Sequence, residues 1–258
     1  MNYAMEMAAS GVLTSLYRMD VMSNNLANVA TAGFKPDMPF TIQRDPARIE
    51  DNLTLPSNRL LERLGAGVML APNQTDFEQG PLQKTGNPLD LAIQGDGFFM
   101  MLDEKAPTSE RIRLSRDGRF TRNGEGTLVS ANTGQPVLDV SNRPISISGQ
   151  AAVDVGPDGT VRQNGAVIAQ IQVVSVPDRS RLGRVGNGMF RAPADTMSGL
   201  KPASGVVRQA MIEGSAVDPI KALMGVTDAG KAAEANLAMM SGADRLLERA
   251  INGLGRVS

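Results

Sequence analysis

The side chains that most often do acid–base chemistry or bind metals are missing from this 258-residue chain, which has neither histidine nor cysteine. Their absence excludes disulfides, thiolate nucleophiles, zinc–thiolate sites and the commonest general base. Carboxylates, hydroxyls and lysines remain. Asp90, Asp96 and Asp103 suggest the paired acids of an enzyme that cleaves cell-wall carbohydrate. Nothing in the sequence fixes the separation of these acids, and Asp96-Gly97 is better explained as a turn, so we predict no catalytic residue. We also predict no cofactor.

Three further clusters of polar residues and glycines could bind a ligand. Residues 154–159 lack the ligand spacing of a calcium loop, and residues 183–188 lack the flanking strand and helix of a nucleotide site. Arg179, Arg181 and Arg184 are basic, but the net charge of the chain is -1. A solvated loop is therefore favoured over a nucleic-acid site, and we expect neither a metal site nor a nucleic-acid partner.

The distribution of proline divides the chain into three parts. All 15 prolines lie between Pro36 and Pro219, which leaves both ends free to form uninterrupted helices. The spacing predicts one helix over residues 2–29, stopped by Gly33, and a second over residues 217–254. Asp218-Pro219 suits the start of the second helix, because proline fits the first turn and a carboxylate stabilises the positive end of the dipole.

Both predicted helices carry apolar residues at heptad spacing. Two ordinary amphipathic helices packed on the central region would explain this. Alternatively, the helices pair with each other and with copies from neighbouring subunits, becoming ordered only on assembly. On the second interpretation the candidate interface residues are Met5, Ala9, Val12, Leu16, Met19 and Leu26 in the first helix, and Leu223, Val226, Ala233, Leu237, Met240, Leu247 and Ile251 in the second.

Between the helices the sequence alternates short strand-like runs with turn dipeptides such as Asp96-Gly97, Asp117-Gly118 and Asn164-Gly165, whose glycines suit positive φ. The longest predicted strand covers residues 166–176. We predict an α+β fold, with terminal helices forming a coiled-coil module and a central all-β domain of short antiparallel strands. The predicted segments are an N-terminal helix (1–35), an extended connector (36–64), the β-domain (65–214) and a C-terminal helix (215–258).

The sequence shows no long apolar run and no secretory leader. No run approaches the roughly 20 apolar residues of a membrane span. The first six residues lack the positive charge and apolar core of a cleaved signal peptide. We therefore expect no membrane span, and export, if it occurs, by a route without a cleaved leader.

Four stretches, in order along the chain, resemble the bacterial flagellar rod and hook proteins. The first, residues 23–29 followed by Gly33-Phe34-Lys35, is an asparagine-rich helix end and is specific. The others are residues 90–99, residues 116–120 and residues 213–219. The resemblance adds Asn24, Asn25 and Asn28 to the candidate interface residues.

This resemblance implies a structural subunit of the flagellar basal-body rod, self-assembling through its terminal helices into a torque-transmitting shaft and without catalytic activity. The implied partners are copies of itself, neighbouring rod proteins and, during secretion, the flagellar type III export apparatus. The implied location is the rod where it crosses the periplasm. Residues 188–191 and 213–215 favour the proximal-rod class, while the long connector keeps the distal-rod class open.

A second hypothesis is a secreted β-domain adhesin or tail-like binding module with a trimeric helical stalk. Such a protein would carry its heptads on one continuous stalk, whereas here they are split between the two ends. A stable closed trimer in solution would favour the adhesin. Turnover of peptidoglycan that depends on Asp90 or Asp96 would favour the enzyme.

Overall fold

The computed structural model describes residues 3–45, 67–107, 110–149 and 151–254. These residues group into two compact units, each built from separate stretches of the chain. The helical unit holds the described residues within 1–27, 37–75 and 218–258, and the β-rich unit holds those within 28–36 and 76–217. The expected α+β arrangement, with a helix towards each end and a β-rich middle, is confirmed.

The described residues form helix α1 (Tyr3–Ala27), the short helix α2 (Ala194–Ser198) and helix α3 (Pro219–Leu254). The start of α3 is capped as the sequence predicts. One carboxylate oxygen of Asp218 accepts hydrogen bonds from the backbone N–H groups of Ile220, at 2.9 Å, and Lys221, at 3.1 Å. These bonds satisfy two of the backbone donors that a helix leaves unpaired at its N-terminus.

The expectation that Gly33 ends the first helix is wrong. Helix α1 ends at Ala27, six residues earlier, and a turn follows in which Thr31 N–H donates to the carbonyl of Asn28. Gly33 does have the left-handed backbone of a cap, with φ of 65°. Its N–H, however, donates to the carbonyl of Glu213 at 2.8 Å, so Gly33 belongs to the β-rich unit rather than to a helix end.

A two-stranded antiparallel ribbon packs against α1 in the helical unit. It consists of β1 (Asp37–Gln43), within the predicted connector, and β2 (Val68–Thr75). Two strands alone are marginally stable in water. Polar bonds attach the ribbon to α1: the Tyr17 hydroxyl donates to the Asn73 side chain, and the Ser10 hydroxyl accepts from the Val68 N–H. Connector residues 46–64 lie outside the described part of the chain.

The β-rich unit is built from short antiparallel strands. The strands are β3 (Leu82–Lys84), β4 (Leu91–Gln94), β5 (Phe98–Leu102), β6 (Ile112–Ser115), β7 (Phe120–Arg122), β8 (Leu128–Ser130), β9 (Val153–Val155), β10 (Thr160–Gln163), β11 (Ala166–Gln170), β12 (Val173–Ser175), β13 (Gly183–Gly186), β14 (Met189–Arg191), β15 (Lys201–Pro202), β16 (Val206–Gln209) and β17 (Met211–Glu213). A six-stranded sheet has the order β13-β14-β6-β5-β12-β15, and a three-stranded sheet has the order β11-β10-β9. The pairs β16-β4, β17-β3 and β7-β8 complete the described sheets of this unit.

The predicted single strand over residues 166–176 is wrong, because the chain divides there between two sheets. Strand β11 pairs with β10, whereas β12 pairs with β5 and β15. Between them Ile171 is buried and forms an isolated bridge with Asp139. Residues 166–175 therefore pass from the three-stranded sheet to the six-stranded sheet. The apolar composition of this run did not reveal the change of sheet.

The turn dipeptides have two different physical roles. Asn164 and Gly165 both have positive φ, 52° and 78°, and connect β10 to β11 as a tight hairpin. The expectation of positive φ is wrong at Gly118, which does not adopt it. There glycine is needed for space, because a Cβ atom would lie 1.6 Å from the carbonyl oxygen of Leu91.

The core of the β-rich unit consists of two apolar clusters that share strand β5. Phe99 packs edge-to-face on Phe120 in one cluster, while Phe98 packs on Phe190 in the other. Alternation along β5 sends neighbouring side chains to opposite faces, so one strand supplies both clusters. The chain has only seven phenylalanines, and four of them form these contacts.

Candidate assembly interface

Helices α1 and α3 pack against each other in the helical unit through small side chains. On α3 the buried residues Ala222, Ala229 and Ala233 recur at spacings of seven and four, which places them on one helix face. A Cβ atom on Gly11 would lie 2.8 Å from the Asn236 side chain, and one on Gly225 would lie 3.0 Å from that of Met22. These two contacts make the helices antiparallel and show how closely they approach.

Larger apolar residues of α3 lie outside this contact. Leu223 and Leu237, both predicted interface residues, are 56% and 51% exposed, whereas Val226 and Met240 are half-buried and Ala233 is buried. A second exposed set was missed by the heptad analysis, because its members fall on the opposite side of the helix from that seam. It comprises Ile220, Met224, Met239 and Leu246.

The α3 face that packs on α1 continues past the described start of α1. The antiparallel register places Tyr3 near Asp244. Leu247 and Ile251 follow Met240 at spacings of seven and four, and so lie on the same face. They are 42% and 69% exposed, and the register places them beyond the described start of α1.

The predicted residues of α1 flank its contact with α3 rather than forming its centre. Leu16 is exposed, while the other apolar members are half-buried: Met5, Ala9, Val12, Met19 and Leu26. Most of the buried positions of α1 are small or polar, including Ala8, Thr14 and Ser15, and Val21 is the apolar exception. Leu13, which the sequence analysis did not select, is 63% exposed beside the predicted stripe.

The asparagines at the end of α1 have different environments. Asn25 is buried, and its side chain pairs with both backbone groups of Asp37: the amide donates to the carbonyl at 2.8 Å and accepts from the N–H at 3.0 Å. It thereby joins α1 to the first residue of β1. Asn24 is exposed, and half-buried Asn28 accepts a hydrogen bond from the Thr31 hydroxyl.

A buried charged cluster lies in the β-rich unit, and its three members fall within the motifs that resemble the rod and hook proteins. The Lys35 ammonium lies 2.5 Å from one carboxylate oxygen of Glu213, and the Arg116 guanidinium lies 3.1 Å from the other. The side chains of Lys35 and Glu213 are fully buried, and that of Arg116 is 3% exposed. Burial lowers the pKa of Lys35 and of Arg116, and the Glu213 charge opposes that shift at both.

The remaining candidates for chemistry have partners within the chain. Asp96 accepts hydrogen bonds from Ser175 and Arg179, and Asp103 forms an ion pair with Arg113. Arg181 pairs with Asp195, and Asp90 accepts from the Asn87 amide. In the part of the chain that the structure describes, no group of acids could hold a metal ion. Nor does that part contain a helix with the length and apolarity needed to cross a membrane.

Comparison with known proteins gives consistent matches. Residues 92–163 match the family model of the flagellar hook protein FlgE/F/G D1 domain, and residues 5–35 match that of the flagella basal body rod protein. The chain is 33% identical to the flagellar basal-body rod protein FlgF of Caulobacter vibrioides, over 100% of both chains. It is 29% identical to FlgG of Buchnera aphidicola, over 93% of this chain and 95% of that one. The flagellar hook-basal body complex protein FlhO of Bacillus subtilis is 28% identical over 97% of each.

Proposed function

The chain belongs to the family of flagellar basal-body rod proteins, and on that premise we propose that it joins the rod through the apolar faces that α1 and α3 leave exposed. It is a structural subunit of the basal body. The observation that carries the proposed interface is the exposure of large apolar residues on helices whose mutual contact uses small ones. Leu223, Leu237 and Ile251 are each more than half exposed.

The energetics favour covering this surface. Burying one leucine or isoleucine side chain fully is worth about 1.5–3 kcal/mol. Several such side chains per subunit, repeated along a shaft, give many modest contacts. Because a helical assembly repeats a heterologous contact that does not close, the same interface can propagate along the rod. We assign the covering surface to further copies of this chain and to neighbouring rod proteins, packed as coiled coils.

The finer parts of the proposal rest on family analogy. The rod crosses the periplasm and transmits torque. The chain reaches the rod unfolded through the flagellar type III export channel, and it has no catalytic activity. The proximal-rod class is preferred to the distal-rod class. The 33% identity to a FlgF protein, against 29% to a FlgG protein, supports that preference.

Leu237→Asp is expected to abolish incorporation into the rod while leaving the protein folded. The side chain is exposed in the subunit, so the substitution costs little there. A carboxylate buried without a partner in an assembled interface costs several kcal/mol. The gene would be deleted from a normally flagellated strain and replaced by the variant. Swimming in soft agar and the amount of this subunit in purified basal bodies would then be measured.

Ala238→Asp is the matched control for this experiment. Ala238 is also exposed, but it lies about 100° around α3 from Leu237, on the side that carries Lys231, Glu234 and Arg245 and away from the Leu237–Ile251 surface that this experiment tests. The same charge there should leave swimming close to the unmodified level. Normal swimming and normal basal-body content with Leu237→Asp would contradict the proposed interface.

A further inference from the structure

We propose that the buried cluster of Lys35, Arg116 and Glu213 is a positioning device that holds the chain segments running between the β-rich unit and the helical unit. The proposal rests on the proposed function, because these segments connect the β-rich unit to the helices that are proposed to join the rod. We call these exit segments and define them as residues 28–36, 76–81 and 211–217.

All three exit segments bond to the cluster or to one another within the β-rich unit. Glu213 accepts from the Gly80 N–H through its carboxylate, and from Gly33 through its backbone carbonyl. The Lys35 ammonium donates to the carbonyl of Glu78 at 2.7 Å. The Glu213 carboxylate, in the segment before α3, therefore contacts the segment before β1 through Lys35 and the segment after β2 through Gly80.

Backbone bonds close the arrangement. Ala216 N–H donates to the carbonyl of Phe34, and Gly214 N–H donates to that of Pro81. These two bonds join the third exit segment to the first and to the second. The three segments thus form one hydrogen-bonded group around a charged centre, although they are far apart in sequence.

The cluster is attached to the sheet core through arginine. Arg116 follows β6 and donates to the backbone carbonyls of Ile93, at 3.3 Å, and Gly95, at 2.8 Å, in addition to Glu213. A second arginine, Arg184 in β13, donates to the carbonyl of Lys35 and lies 4.8 Å from the centre of the Phe34 ring. Gly33 completes the fit, since a Cβ atom there would lie 2.5 Å from the backbone of Arg116.

The charge balance makes Glu213 the decisive member. Two cations share one carboxylate, and all three groups are buried. Removal of the carboxylate charge leaves both cations without the counter-ion that they contact, and among the described residues only the charges of Asp76 near Lys35 and Asp96 near Arg116 remain to favour them. Breaking a buried pair from one side is strongly destabilising, because the remaining charge stays desolvated. Removal of the Lys35 charge instead leaves the Arg116–Glu213 pair intact. It should therefore loosen the exit segments less than removal of the Glu213 charge.

The test is amide hydrogen exchange on the purified full-length protein, comparing Glu213→Gln with Leu128→Ala. Leu128 is a buried core residue of β8, and its truncation weakens the same unit away from the exit segments. The quantity compared is the exchange rate of Gly33, Gly80 and Ala216 relative to that of Leu138, whose N–H bonds to Met100 in the core. We expect this ratio to rise by about two orders of magnitude in Glu213→Gln and to stay unchanged in Leu128→Ala.

Lys35→Met provides a second variant that keeps the proposal falsifiable if Glu213→Gln does not fold. It should raise the same ratio, but less. An unchanged ratio in Glu213→Gln, or in Lys35→Met where Glu213→Gln is unfolded, would overturn the positioning role. Because exchange is measured on the unassembled protein, such a result would leave the proposed rod interface untouched, and that interface is tested separately by Leu237→Asp.

Discussion

Replacing Gly118 with alanine is expected to unfold the β-rich unit. The added Cβ atom would lie 1.6 Å from the carbonyl oxygen of Leu91 and 2.8 Å from its carbonyl carbon. Backbone must move to relieve such a contact, and Leu91 is held by the bond from its N–H to the carbonyl of Gly118, at 2.9 Å. We expect a loss above about 4 kcal/mol in the free energy of unfolding, in the range reserved for severe core disruption.

The measurement is urea denaturation followed by circular dichroism, with Gly124→Ala as the matched control. Gly124 is exposed, and nothing lies within 4 Å of the position its Cβ atom would take. The control should change the free energy of unfolding by less than about 0.5 kcal/mol. Equal stability of the two alanine variants would show that Gly118 does not approach Leu91 as the structure has it.

Phe190→Ala is expected to lower the free energy of unfolding of the β-rich unit by about 3–5 kcal/mol. The ring is fully buried, with ring centres 5.1 Å from Phe77 and 6.1 Å from Phe98. The Arg184 guanidinium lies 5.4 Å from the centre of the same ring. Truncation leaves a cavity at the meeting point of these groups, and removes a cation–π partner of an arginine that also bonds to Lys35.

Phe40→Ala is the control, because it makes the same truncation on a residue of the helical unit that is 40% exposed. It should leave the unfolding of the β-rich unit unchanged. Urea denaturation followed through near-ultraviolet circular dichroism, which reports aromatic packing, would compare the two variants. A loss below about 1 kcal/mol with Phe190→Ala would contradict the packing of this cluster.

The elements with strong local signals could be predicted from the sequence. Freedom from proline and the Asp218-Pro219 start located α3 within two residues, and the Asn164-Gly165 hairpin has the expected backbone. Local chemistry fixed these features, so no distant contact could override them. The exposure of Leu223 and Leu237 could not be predicted, because heptad spacing identifies an apolar stripe but not which neighbour covers it.

The features that depend on contacts between distant parts of the chain could not be predicted, because a local pattern does not identify its neighbours. The helix contact centres on Ala222, Ala229 and Ala233, whose small side chains give little hydrophobic signal. The Lys35–Glu213 pair joins residues separated by 178 positions, and a single sequence does not show which charges become buried together. The one available signal was that Lys35, Arg116 and Glu213 each fall within a family motif.

The most direct test of the assembly interface is the reactivity of a single thiol introduced at position 237. The chain has no cysteine, so Leu237→Cys and Ala238→Cys each provide one reporter. Maleimide labelling would be timed on the free protein and on purified basal bodies. We predict that labelling at 237 slows at least roughly tenfold on assembly, which corresponds to burial worth about 1.4 kcal/mol, and that labelling at 238 slows less. Equal labelling rates at position 237 in the free and assembled protein would contradict the proposed interface.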